Sequence, residues 1–233
     1  MNPARPRQAR ANRMLTVPLV CAAAVSTLAG CSGGQDTRGE AEPERARAET
    51  LYVARLAPLN ASVTGSSAKG EVAFRITGDD LTIQTDASGL PPGISHWQHF
   101  HGFIDGRDAA CPTDAADANG DGIVDLIETE PVAGTTMVPF NADPVALNVP
   151  DETYPKADAE GTLHYEKTVS LSALQAAYAK AFEGGKLDLD TRVVFLHGVP
   201  SATALASSVA SLGPIPAQVT IPIACGEIER VEQ

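Results

Sequence analysis

The chain has 233 residues, 43% of them hydrophobic and 20% charged, and its formal net charge is -12. That balance disfavours a nucleic-acid binder, which needs a concentration of positive charge. The 20 glycines and 17 prolines suit many turns and short strands better than long helices, and the length suits one domain of ordinary size.

Residues 1–30 have a separate character. Arg5, Arg7, Arg10 and Arg13 stand without an acid among them, and an apolar run from Met14 to Ala29 follows. This is the layout of a secretory signal, and the run is shorter than the ~20 residues that span a bilayer comfortably. Its end, Leu28-Ala29-Gly30-Cys31, resembles a bacterial lipobox. That resemblance implies cleavage before Cys31, lipidation of its thiol, and a mature protein anchored in the cell envelope on the extracytoplasmic side, in the periplasm or at the cell surface. An ordinary signal peptide or an uncleaved anchor is the alternative. Cleavage there leaves 13 basic against 29 acidic residues, a net of -16. It also removes Cys21 and commits Cys31 to lipid, so Cys111 and Cys225 remain in an oxidising compartment. There they most simply form one disulfide, with two separate buried thiols as the alternative.

Residues 31–50 are Gly-rich and then dense in mixed charge, which predicts a flexible tether. The folded domain is expected over residues 51–231. Leu51 to Leu56 and Ala61 to Gly65 read as strands. Val72, Phe74 and Ile76 alternate along one face, Leu81 and Ile83 repeat the pattern after Gly78-Asp79-Asp80, and together they predict a β-hairpin. Gly161 to Ser170, Thr191 to His197 and Gln218 to Ala224 are further strands. Ser172 to Glu183 is rich in Ala, Leu, Gln and Lys, with Leu174, Ala177, Tyr178 and Ala181 at helical spacing. It predicts one short helix, with Ser172 near its start and Gly184 at its stop. The expected fold is all-β, an antiparallel sandwich or Greek-key barrel.

Three of the five histidines fall between Ser95 and Phe103, and His197 ends the strand Arg192 to His197. On an extended strand His99 and His101 project to one side, about 6.5 Å apart. Two imidazoles so placed can share a metal ion, and imidazole donors suit copper or zinc. His96 faces the other way and is not grouped with them.

Gly89-Leu90-Pro91-Pro92-Gly93, His99-x-His101-Gly102-Phe103, Cys111, the strand ending at His197, and Ala224-Cys225-Gly226 follow in order. In this the chain resembles the Cu/Zn superoxide dismutases, and within that shape the bacterial proteins with a CHRD (chordin-type) domain. The resemblance implies an eight-stranded Greek-key barrel, a Cys111–Cys225 disulfide tying a long loop to the last strand, and copper held by His99, His101 and His197. It also exposes departures. Residues 112–148 contain no histidine, so the bridging and zinc ligands of the dismutases are missing, and Ile221 to Ala224 stand where a dismutase has its guiding arginine. His164 matches no position of the pattern. Without a metal, the three histidines form a structural cluster instead.

The histidine-free region carries a second pattern, Asp117-x-Asn119-x-Asp121-Gly122-Ile123-x-Asp125-x-x-Glu128. It matches a twelve-residue EF-hand-type calcium loop. Asp117, Asn119, Asp121, Asp125 and Glu128 offer side-chain oxygens, Ile123 its carbonyl, and Gly122 the sharp turn. The alternative is a solvated acidic loop. Pro131 is expected to stop any helix after Glu128, which leaves a lone loop with static calcium.

Two functions follow. One is a noncatalytic, lipid-anchored, calcium-binding CHRD-type module with a binding or cell-surface role. The other is a copper-only, superoxide dismutase-like metalloenzyme. Membrane lipid through Cys31 and metal ions are the expected partners.

Overall fold

The structure is a computed structural model and describes residues 48–232. The signal, Cys31 and most of the tether lie outside the described residues. The first strand among the described residues, β1, spans Glu49–Pro58 and so includes the last two residues of the expected tether. It is followed by α1 (Ala61–Thr64), β2 (Lys69–Thr77), β3 (Asp80–Ser88), β4 (Gln98–Gly102), α2 (Leu126–Ala133) and β5 (Thr135–Pro139). Then come β6 (Leu163–Ser170), α3 (Leu171–Ala181), β7 (Val193–His197), α4 (Ala217–Thr220) and β8 (Pro222–Val231).

The strands form one eight-stranded sheet in the order β5-β4-β7-β8-β1-β2-β3-β6, every neighbouring pair antiparallel. The all-β expectation therefore holds at the level of class. The alternation read from the sequence sets the face of the β2–β3 hairpin: Val72, Phe74, Leu81 and Ile83 are fully buried and Ile76 packs partly against them. The sheet curls over this face, because Phe74 of β2 meets Phe140, just beyond β5, edge to face at 5.7 Å. Phe100 of β4 and Tyr165 of β6 meet Phe140 from either side. A smaller apolar cluster, with Leu59, Ala133, Val193, Phe195 and Cys225, lies apart from the main core. Cys111 and Cys225 form a disulfide that joins the β4–β5 connection to β8.

Five local expectations are corrected. Ala61 to Gly65 is a single helical turn, α1, flanked by left-handed Asn60 and Gly65. The buried Asn60 side chain anchors the turn, donating to the carbonyls of Val124 and Pro222 and accepting from the Val124 N–H. Gln218 to Ala224 is half helical turn and half strand, since α4 ends at Thr220 and β8 starts at Pro222. The helix of residues 171–181 starts one residue earlier than expected, with Ser170 and not Ser172 accepting the capping bond from Ala173 N–H. Its last helical residue is Ala181, ahead of Gly184.

Pro131 does not prevent a helix after Glu128, for it sits inside α2. A proline there removes one backbone donor. A capping box compensates at the start: Asp125 accepts from the N–H groups of Ile127 and Glu128, and Glu128 accepts from the N–H of Asp125.

Candidate metal centre

Strand β4 is buried on both faces. Phe100 points to the main core, so His99 and His101 point to the other side, against Phe195 of the adjacent β7. The β7–β8 register shifts between Leu196 and His197, at the end of β7. The ring centroids of His99 and His197 are then 4.6 Å apart, and those of His99 and His101 4.8 Å. One ligand nitrogen from each of the three histidines lies within 4.8 Å of the others, and all three residues are buried. Among the described residues this is the one such group of histidine, cysteine or carboxylate ligands.

Backbone carbonyls decide which nitrogen two of the three rings offer. A carbonyl only accepts, so a ring nitrogen bonded to one carries the proton. Nδ1–H of His101 donates to the carbonyl of Gly134 at 3.3 Å, and Nδ1–H of His197 to that of Thr220 at 2.7 Å. The lone pairs of these two rings are therefore on Nε2. Nε2 of His101 lies 3.0 Å from Nδ1 of His99 and 3.0 Å from the Thr136 hydroxyl. Nε2 of His197 is buried without any hydrogen-bond partner. An unpartnered buried acceptor is costly in a finished core, and here it is turned toward two further imidazoles.

Electrostatics keep the set neutral. Burial pushes His101 down to about 3 and His197 to about 4, and holds His99 well below its ordinary value, with neighbouring histidines adding to the effect. Neutral imidazoles are the form that ligates metal. The donor set fits a metal ion: three imidazoles, two of them with tautomers fixed by outer carbonyls, and one buried nitrogen with no other partner.

The remaining histidines stay apart. The ring nitrogens of His96 each lie 2.9 Å from a carbonyl, those of His197 and Pro91, so His96 braces the end of β7 and does not join the cluster. His164 is on the surface, 2.7 Å from a carboxylate oxygen of Asp86. The carbonyls of Gly134 and Thr220 are the site residues that sequence reasoning missed, and no side-chain pattern announces a backbone acceptor.

The acidic loop curls, and its carboxylates accept hydrogen bonds from the loop and its neighbours. Asp117 accepts from the N–H groups of Gly120, Asp121 and Gly122, and Asn119 accepts from that of Asp121. Asp121 accepts from Ile123 N–H and from the Ser208 hydroxyl. Asp125 caps α2 and also accepts from Ala210 N–H. Glu128 reaches back to the N–H groups of Ala118 and Asn119. The side chain of Ile123 is buried in the main core.

Fold and site thus define an all-β protein with a disulfide-braced sheet and a buried three-histidine cluster able to hold a metal ion. No family model and no curated protein matches the chain.

Proposed function

We propose that the protein is a copper-holding module of the cell envelope, built on a Greek-key barrel like that of the Cu/Zn superoxide dismutases and of CHRD type. It is anchored by lipid on Cys31 and faces the extracytoplasmic side. The convergence of His99, His101 and His197, with the lone pairs of the last two on Nε2, carries this reading. The strand order supports it, with two ligands on β4 and the third on the adjacent β7. So does the disulfide from the β4–β5 connection to β8, in the position the resemblance implies. Copper, when bound, supplies one-electron chemistry. The chain's part is to hold three neutral imidazoles in place and to keep water from their outer nitrogens.

Two departures from the dismutases favour holding over fast turnover. Among the described residues no fourth histidine joins the three, and Arg192, the arginine nearest them in sequence, is buried in donation to the carbonyls of Leu187, Phe103 and Lys186. The test is copper(II) loading of the purified protein. The expected result is one copper per chain, a paramagnetic resonance spectrum with nitrogen couplings, loss of both in a His99→Ala, His101→Ala double variant, and slow superoxide removal. Absence of stoichiometric copper refutes the reading. Fast removal that the double variant loses assigns a copper-only dismutase instead.

The second reading is calcium in the loop Asp117 to Glu128, with a noncatalytic role at the cell surface. It is favoured by the way Asp117 gathers three loop N–H groups while Glu128 folds back on the loop start. A lone extracytoplasmic loop would bind with Kd of about 10⁻⁴ to 10⁻³ M. Calorimetric uptake at millimolar calcium, absent from Asp121→Ala, is the expected result, and no uptake refutes it.

A further inference from the structure

The histidine centre has an approach from one side. His101 forms part of the wall of a cavity of about 350 Å³, together with Leu126, Ile127, Glu130, Thr136, Val149 and Leu212. A second cavity, about 890 Å³, shares Ile127, Glu130, Gly134 and Thr135 with the first and continues past Phe103, Ile104 and Pro131. The two make one groove along α2. Three of the five large apolar side chains most exposed on the described surface, Ile104, Ile127 and Leu212, line it. In a soluble domain such side chains scatter singly, and their collection along a cleft marks a place where something apolar sits.

The charges of the groove select against an anion. Beside His101 the one carboxylate or cationic side chain is Glu130. Farther out, Asp105 and Glu183 join it against Arg107 alone. The Arg107 guanidinium is already engaged, 3.7 Å from Asp105 and 3.7 Å over the centre of the Phe103 ring. A small anion entering would leave water, meet no free cation, and pass a carboxylate between low-dielectric walls that strengthen the repulsion.

We propose that this groove binds an uncharged molecule with an apolar body and a metal-ligating end, and brings that end to the His101 side of the histidine centre. The proposal rests on the copper reading above for what the end meets, while the groove itself can be measured without metal. Small anions are the disfavoured class.

The experiment uses the full chain in detergent, with copper stoichiometry established first. 4-Phenylimidazole, imidazole and azide are titrated while the copper spectrum is followed. The phenyl ring in the groove is expected to tighten binding at least about tenfold over imidazole, with azide weakest. Ile127→Asp should abolish the phenyl advantage and leave copper content unchanged. Ile127 is exposed, in the first turn of α2, where an acid is tolerated. Equal affinity for the two imidazoles, or azide tighter than imidazole, overturns the proposal. In metal-free protein, saturation-transfer NMR should show benzyl alcohol bound in preference to benzoate, and the preference lost in Ile127→Asp. The reverse order overturns the groove, whereas failure of copper to load overturns the metal reading and the delivery of a ligand to it.

Discussion

Replacing both Cys111 and Cys225 by alanine should cost stability without dismantling the histidine centre. The bond closes a loop of sequence separation 114. In the chain-entropy account, opening a loop of that length releases about 4.8 kcal/mol of unfolded-state constraint at 25 °C. Cys225 also packs beside Leu59, Val193 and Phe195, so losing its sulfur adds about 1 kcal/mol. The folded β4–β5 connection keeps other ties: Ala109 N–H donates to the Thr191 carbonyl and Ala110 N–H to that of Val132. Gly134 therefore stays beside His101. Urea titration of the oxidised parent and the double variant reads the difference. With m near 2.5 kcal/mol/M, within the usual ~1–3 range, the midpoint should fall by about 2 M. Copper content at low urea should be unchanged. A loss under about 2 kcal/mol would refute the loop-entropy reasoning, and loss of copper binding from a still folded variant would refute the independence of the site.

Three further perturbations test the supports of the centre. Gly134 has φ 73° and ψ -163°, a region open essentially to glycine, and a methyl group there would meet the backbone of Gly102. Gly134→Ala should cost about 1–3 kcal/mol in melting experiments and weaken copper binding, because it displaces the carbonyl that holds His101. Arg192→Met removes a buried guanidinium from the carbonyls of Leu187, Phe103 and Lys186. A loss of about 3–5 kcal/mol is expected, a fall of about 10 °C or more in Tm. The metal-free protein should also be acid-labile. His99, His101 and His197 are held below their ordinary values in the fold, so below about pH 6.5 the unfolded chain takes up protons that the folded one refuses. Stability is complete above that pH and declines as pH falls toward 4, by about 1.4 kcal/mol per pH unit for each histidine. His96, also held down by burial, adds to the slope, so urea midpoints at pH 7.5 and 5.5 measure it and His99→Gln should reduce it by about a quarter to a third.

The sheet was legible where one face is buried and the other wet. Val72, Phe74, Leu81 and Ile83 alternate because a strand has period two, and the β2–β3 pairing places Phe74 opposite Ile83. Ala61 to Gly65 misled for want of length. Five residues with Val63 and Thr64 satisfy a strand pattern, but Val63 is exposed and the left-handed residues at both ends make a turn of helix. Pro131 misled for a different reason. The rule that proline breaks a helix is local, and the Asp125–Glu128 capping box that starts α2 uses the same carboxylates that the sequence assigned to calcium. One pair of side chains can satisfy both patterns, so the twelve-residue spacing alone does not say which chemistry it serves.

The histidines divide in the same way between what a side chain announces and what a backbone supplies. His-x-His on a strand places two imidazoles on one side, and that much follows from the period of the strand. Which nitrogen two of the rings present follows instead from a carbonyl 33 residues beyond His101 and another 23 residues beyond His197. Backbone carbonyls have no residue type, so the sequence carries no mark of them. Yet they place the lone pairs of His101 and His197 on Nε2, and that of His197 has no partner in the protein. Disturbing Gly134 or Thr220 without touching a histidine should therefore change metal affinity, and that separates a built metal centre from a cluster that merely packs.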